Sequence, residues 1–213
     1  MDLLIACTAL IVVIPVFIPV MIILRFTGEG EIFYSQKRIG YQNNEFKIWK
    51  FATMLKDSLN IGTGSITLEN DFRVTTFGRL LRKTKINELP QLYNIILGEI
   101  TLVGPRPVLE QDWLLYSEEI RNRIYLVKPG LTGIGSIVFR DEEAIVTSAD
   151  GSDYHKFYKN VIAPYKGALE IWYQENRSTY LDLKLMFLTA VVIMFPKNKT
   201  YEKWFNDLPE RSF

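Results

Sequence analysis

The chain has 213 residues, of which 48% are hydrophobic, 23% charged and 13% aromatic, so it can build one real core and is not disordered, collagenous or a low-complexity fibre. Its 25 Lys+Arg against 24 Asp+Glu leave a net charge of +1, without the basic excess that a general nucleic-acid binder needs. The single cysteine, Cys7, and the single histidine, His155, exclude a disulfide framework, Cys-based zinc sites and two-His metal motifs.

The first element is apolar. Leu3 to Leu24 carries no charged side chain and is bracketed by Asp2 and Arg25. These 22 residues make a helix of about 33 Å, and a bilayer core takes roughly 20 residues. Asp2 stands where a signal peptide has its basic flank, and the run ends Leu24-Arg25-Phe26 without a small-residue cleavage site. Pro15 and Pro19, four apart, each remove a helix N–H. Helix physics leaves two readings level here, a kinked span and a re-entrant hairpin that returns to the face it entered by.

Charge and turn residues return from Glu29 to Asn176. Residues 31–34 and 46–51 read as strands, joined through Gly40-Tyr41-Gln42-Asn43-Asn44. Gly62-Thr63-Gly64 marks a loop, and Val74 to Lys83 reads as a helix. The next helix has Leu89, Leu92, Tyr93, Ile96 and Leu97 on one face, Asn87 as its N-cap, Pro90 in the first turn and Gly98 as its stop. Gly104-Pro105-Arg106-Pro107 and Lys128-Pro129-Gly130-Leu131-Thr132-Gly133 read as rigid turns, each presenting a cation. Thr179 and Asp182 form a capping pair for a helix over 180–195, either interfacial or part of the core.

Two constellations carry chemistry. Arg73, Arg79, Arg82, Lys83 and Lys85 supply five cations with no acid among them, immediately before Asn87 and Glu88. Cations beside helix N–H groups suit phosphate, and a carboxylate there suits Mg²⁺; a solvated basic face with an acid complementing the helix dipole is the plainer reading. Arg106, held between prolines, suits bidentate phosphate recognition, against the plainer reading of a solvent-facing turn residue.

The order of these pieces resembles the monotopic phosphoglycosyl transferases, the bacterial sugar transferases that start glycoconjugate assembly. The resemblance covers residues 1–196. It rests on the Pro-containing N-terminal segment, Phe33-Tyr34-Ser35-Gln36-Lys37-Arg38-Ile39-Gly40, Lys50-Phe51-Ala52-Thr53-Met54 and Asn70-Asp71-Phe72-Arg73-Val74-Thr75. Asn87-Glu88-Leu89-Pro90-Gln91-Leu92, Gly104-Pro105-Arg106-Pro107 and Lys128-Pro129-Gly130-Leu131-Thr132-Gly133 complete it. It implies an α+β monotopic membrane protein at the cytoplasmic face of a bacterial inner membrane. A re-entrant helix hairpin would occupy residues 1–27 and break at Ile14-Pro15; a single mixed helical and strand catalytic module with interfacial amphipathic helices would occupy 28–213. The implied reaction moves a sugar phosphate from a nucleotide-diphosphate sugar, typically a UDP-sugar, to polyprenol phosphate with Mg²⁺. A homodimer is among the assemblies the resemblance allows. Carried onto this chain, it gives Glu88, Asn87 and Arg106 as catalytic positions and Glu88 as the metal ligand. Lys50, Arg73, Arg79, Arg82, Lys83, Gln91, Pro105, Lys128, Thr132 and Arg140 become substrate-binding.

The chain departs from that pattern at the nucleophile. The family's carboxylate pair is Asp then Glu, and Asn87 takes the Asp position. A neutral amide has no anionic oxygen with which to form an acyl phosphate. Ala52 replaces the usual Arg, Ile14 the usual Ser before Pro15, and Phe72 the usual Pro. An inactivating substitution, a natural subgroup and a pseudoenzyme all fit Asn87, and Ala52 favours the subgroup. Polyprenol phosphate could attack the β-phosphate directly, or attack the anomeric carbon to give a prenyl-monophosphate sugar. A non-catalytic nucleotide-sugar-binding scaffold and an unrelated anchored domain are the readings from other classes.

Overall fold

The computed structural model describes residues 1–148, 153–196, 198–211 and 213. Contacts group the chain into two compact units, one of residues 1–37 with 47–98 and one of residues 38–46 with 99–213.

The first unit opens with helix α1 (Asp2–Phe26), one helical element that runs through Pro15 and Pro19. It is the one helix among the described residues long and apolar enough to cross a membrane. Most of its apolar surface is exposed, with Leu4, Ile11 and Val12 each about 70% accessible, while Ala6, Val20 and Leu24 are buried. The end of α1 joins the unit's core, where Val20 and Leu24 meet Phe51 and Leu81. Phe51 is the hub: the Phe17 ring meets it edge-on at 5.1 Å and Phe33 stacks on it at 5.4 Å.

Strands β1 (Phe33–Ile39) and β2 (Glu45–Phe51) form the expected hairpin, although β1 runs over 33–39 and not over the expected 31–34, and the tip around Asn43 belongs to the second unit. Helix α2 (Thr76–Lys83) starts two residues later than its apolar periodicity implies, because Thr75 Oγ1 accepts the Gly78 N–H and so caps it there. Asn87 is not an N-cap. Lys85 takes a left-handed conformation, φ +61°, and turns the chain into a 3₁₀ turn (Ile86–Glu88) that tucks Asn87 and Glu88 inward. Helix α3 (Gln91–Ile96) follows, with Pro90 at its cap and Gly98 beyond its end at φ +75°.

The second unit is built on a parallel pair, β3 (Thr101–Val103) with β4 (Gly130–Thr132), in register Thr101 to Gly130 and Val103 to Thr132. The 128–133 segment, expected as a turn, is therefore half strand. Helices α4 (Glu110–Trp113) and α5 (Glu118–Ile124) lie between the strands in sequence. Helices α6 (Ile134–Val138), α7 (Glu142–Thr147) and α8 (Tyr154–Phe157) follow, the last running through a π turn (Tyr158–Ile162) into α9 (Ala163–Asn176). Its core gathers Ile39, Val108, Tyr116, Ile124, Tyr125 and Ala163. Helix α10 (Thr179–Met194) is capped by Ser178, whose Oγ accepts the Leu181 N–H, in place of the expected Thr179. It is both core and surface: Leu181, Leu185, Leu188 and Val192 are buried, while Tyr180, Leu183, Phe187 and Met194 are exposed. A short α11 (Thr200–Trp204) stacks Trp204 on Phe187 at 5.8 Å.

Candidate active site

In the first unit the chemistry gathers at β2 and the 86–88 turn. Lys50 Nζ lies 3.2 Å from Glu88 Oε1, with side chains 17% and 11% exposed. Asn87 is buried, and its Oδ1 has no hydrogen-bond partner among the described residues. Gln91 is buried at the start of α3. Asn94, fully buried, holds α3 against β2: its Nδ2 donates to the Lys47 carbonyl at 2.7 Å and its Oδ1 accepts the Trp49 N–H at 3.0 Å. It therefore satisfies two groups of the strand that carries Lys50, a role the sequence reading missed because an Asn inside a helix looks neutral.

The basic cluster divides. Arg79 and Lys83 are exposed on α2, and Arg82 is half-buried with Nη1 3.7 Å from Met54 Sδ. Arg73, expected to bind substrate, is fully buried. Its guanidinium pairs with Asp71 at 2.6 Å and donates to the carbonyls of Ser58, Ile61, Gly64 and Ile66 and to Thr63 Oγ1. Its donors are consumed in closing the 58–66 loop, so Arg73 is an organiser of that loop. Burial pushes the Asp71 carboxyl up, but the hydrogen bonds and charge of Arg73 outweigh it and hold the group below its ordinary value.

In the second unit the Gly104–Pro107 turn and the Lys128–Gly133 segment fold against each other. Gly104 N–H donates to the Thr132 carbonyl at 2.9 Å and Gly130 N–H to the Pro105 carbonyl at 2.8 Å. The two backbones approach so closely that a Cβ on Gly104 would stand 2.5 Å from the Lys128 carbonyl oxygen, and one on Gly130 would collide with the Gly104 nitrogen. The glycines in both motifs are thus required by this crossing. Pro105 is buried and Lys128 exposed. Thr132, expected as a substrate ligand, has its Oγ1 2.6 Å from Thr189 Oγ1. Because the Thr189 hydroxyl donates to the Leu185 carbonyl at 2.7 Å, Thr132 is the donor of the pair and ties β4 to α10.

Arg106 is half-buried, with Nη1 3.3 Å from Ser136 Oγ. Its carbonyl accepts the Tyr125 hydroxyl at 2.8 Å, and its N–H donates to Glu170 Oε1 at 3.3 Å. Tyr125 in turn accepts the Val108 N–H at 3.2 Å. Burial pushes the Glu170 carboxyl up to about 7, against the opposing hydrogen bond and charge of Arg106 and the charge of Lys166. Arg140 is half-buried just beyond α6. Glu170 and Tyr125 carry no local motif; only the fold, which sets α9 and α5 beside the Arg106 turn, reveals them.

For Mg²⁺, no group of three or more His, Cys, Asp or Glu side chains gathers among the described residues. A magnesium ion commonly uses one or two protein oxygens and completes its shell with substrate phosphates and water. The buried, unpartnered Oδ1 of Asn87 beside the Glu88 carboxylate in sequence fits that pattern.

The chain is 34% identical to the exopolysaccharide production protein ExoY of Rhizobium meliloti over 210 residues, covering 90% of this chain and 83% of the relative. It is 34% identical to an uncharacterized sugar transferase, EpsL, of Bacillus subtilis, covering 88% and 79%. It is 30% identical to the UDP-glucose:undecaprenyl-phosphate glucose-1-phosphate transferase of Klebsiella pneumoniae, covering 89% of this chain and 38% of that longer protein. With the bacterial sugar transferase model matching residues 1–196, from the apolar helix through the Lys50–Glu88 and Arg106 motifs to α10, the chain belongs to the bacterial sugar transferase family.

Proposed function

We propose that this protein is a membrane-associated enzyme that transfers a sugar phosphate from a nucleotide-diphosphate sugar to a polyprenol phosphate, an initiating step of polysaccharide assembly. The observation that carries the reading is the match of residues 1–196 to the family, a span that includes every motif of both clusters. The Klebsiella pneumoniae relative, whose name states UDP-glucose and undecaprenyl phosphate, points the same way.

Asn87 shapes the chemistry. Lacking a carboxylate there, the protein works without a covalent intermediate at that position: a phosphate oxygen of the polyprenol forms the bond to the β-phosphorus, the bond from that phosphorus to the bridging oxygen breaks, and UMP leaves with the electron pair. Arg106, fixed by its own backbone bonds, receives phosphate oxygens through its guanidinium. Lys50 holds Glu88 in place. Asn87 Oδ1 and Glu88 are the groups that would hold Mg²⁺, which when bound neutralises phosphate charge.

The exposed apolar length of α1 and the exposed stripe of α10 support membrane association. We place the protein at the cytoplasmic face, where nucleotide sugars are made, with α1 entering and leaving on one side. Cysteines introduced before Leu3 and near Thr27 then label from the same side; labelling from opposite sides overturns that topology. The reaction is tested with pure protein, a panel of UDP-sugars, undecaprenyl phosphate and Mg²⁺. UMP release supports the proposal, UDP release means transfer of the sugar alone, and release of neither with the whole panel overturns turnover in favour of binding.

A further inference from the structure

Glu170 is the most enclosed acid among the described residues, 3% exposed, and lies 64 positions from the turn it touches. Its Oε1 accepts the Arg106 N–H at 3.3 Å, and its Oε2 has no hydrogen-bond partner among the described residues. A Cβ on Gly135 would collide with Oε1, so α6 carries a residue without a side chain where the carboxyl needs room. On the other side of the same residue, in the next peptide, the Arg106 carbonyl accepts Tyr125 OH. Arg106 is therefore gripped by backbone at both its polar groups, and its flanking residues, Pro105 and Pro107, supply no N–H of their own.

A buried carboxylate costs a great deal unless it is used. Among the described residues, no group around it neutralises it with an ion pair. Lys166, one turn earlier on α9, is spent on Glu142 at 2.5 Å and on Tyr158 OH at 3.2 Å. The Tyr116, Tyr125 and Tyr173 hydroxyls sense its charge and are held protonated by burial. What remains is the backbone bond to Arg106 and the through-space attraction of the Lys166 ammonium and the Arg106 guanidinium.

We propose that Glu170 is a positioning residue for Arg106, using one carboxylate oxygen on the peptide N–H to aim the guanidinium at a phosphate of the nucleotide. This rests on the reading above that Arg106 holds phosphate. Since burial lifts the carboxyl to about 7, the grip tightens as pH rises through neutrality, when the acceptor becomes an anion.

The test uses the full-length protein in detergent with UDP as the probe, binding measured by calorimetry from pH 5.5 to 8.5. Glu170→Leu weakens UDP about fivefold or more, and adds nothing in an Arg106→Ala background, because the effect passes through Arg106. Glu170→Gln keeps the acceptor and most of the affinity but loses the parent's extra tightening with pH. The titration of UDP itself is common to both proteins, so the ratio of their affinities isolates Glu170. Amide exchange gives a readout without nucleotide: the one N–H between the two prolines exchanges faster in Glu170→Leu and stays protected in Glu170→Gln. If Arg106→Ala binds UDP like the parent, the phosphate reading of Arg106 falls and this proposal with it. If Arg106→Ala weakens binding but Glu170→Leu does not, or costs the same in both backgrounds, the proposal alone is overturned. The same holds if Glu170→Gln keeps the parent's pH step; this variant retains size and acceptor should the leucine variant fail to fold.

Discussion

Lys50 Nζ stands 3.2 Å from Glu88 Oε1, joining the end of β2 to the turn that carries Asn87. One turn along α3, Asn94 bonds both Lys47 and Trp49 of the same strand, so the ion pair and the amide clasp fix one helix start to one strand. The pair is nearly dry, at 17% and 11% exposure. Its weight therefore lies in holding Glu88 more than in net attraction, because burying two charges costs about what their pairing returns.

Replacing Lys50 tests that weight. Lys50→Met leaves the Glu88 carboxylate without its ammonium in a largely buried place, at a cost of about 1–3 kcal/mol. Adding Glu88→Gln removes that buried charge and recovers part of the stability. It does not recover transfer, because an amide is a poorer ligand for a hard cation. Thermal unfolding and UMP release on the three variants separate the two effects.

Arg73 and Arg79 look alike in the sequence, and the structure gives them opposite fates. Arg73→Lys exchanges a saturated guanidinium for a point charge that cannot reach the Asp71 carboxylate and four carbonyls together, and costs about 3 kcal/mol or more. Arg79→Ala, on the open face of α2, changes stability by no more than about 0.5 kcal/mol. The Asp71 carboxyl is held below its ordinary value of 3.8, so its share of stability is full above that pH and is lost as pH falls through the lowered value. Denaturant midpoints of both variants at pH 7, with an acid titration of the parent and an Asp71→Asn variant, check this.

What the sequence revealed depended on how local the cause was. The hairpin and the length of α1 follow from periodicity and turn residues within a few positions, and they were legible. The face of α3 was not: Tyr93 and Leu97 of the expected apolar stripe are exposed, whereas Asn94 and Ile95 are buried, because the Asn94 clasp turns its own face toward β2. The cap assignments at Asn87 and Thr179 failed because the competing events, the left-handed Lys85 two residues before Asn87 and the better-placed Ser178 one residue before Thr179, lie just outside the local pattern. Basic residues counted as one cluster because charge is visible in a sequence and burial is not; Arg73 is the result. Gly104 and Gly130 read as turn glycines, whereas their reason is a backbone crossing between segments 26 residues apart. Glu170 and Asn94 were illegible for the same reason: each serves a backbone group far along the chain.

Glu170 also makes stability pH-dependent in the opposite sense to Asp71. A carboxyl lifted from 4.5 to about 7 binds more protons folded than unfolded between those values, so stability falls as pH rises through that window and levels off above it. The shift corresponds to about 3 kcal/mol lost between pH 4.5 and 8. Glu170→Gln removes this dependence. Unfolding curves of parent and variant, measured at pH 5 and pH 8, differ most at pH 8, with the variant the more stable there.

The nucleophile position gives the sharpest test. Asn87 is buried and its Oδ1 is unpartnered among the described residues, so the side chain already presents an oxygen, but a neutral one. The unmodified protein incubated with UDP-sugar and Mg²⁺ therefore shows no phosphosugar adduct by intact mass spectrometry. Asn87→Asp supplies the missing anion with almost no change in volume. It is expected to gain an adduct, with UMP released before any polyprenol phosphate is added. Burial disfavours that carboxylate's charged form, so the adduct yield climbs as pH rises, and the variant is less stable than the parent by about 1–3 kcal/mol at high pH. An adduct on the unmodified protein would place the nucleophile elsewhere and overturn direct attack by the polyprenol phosphate. Absence of an adduct on Asn87→Asp at every pH, with transfer intact in the parent, would mean that this turn no longer presents its side chain to the β-phosphorus.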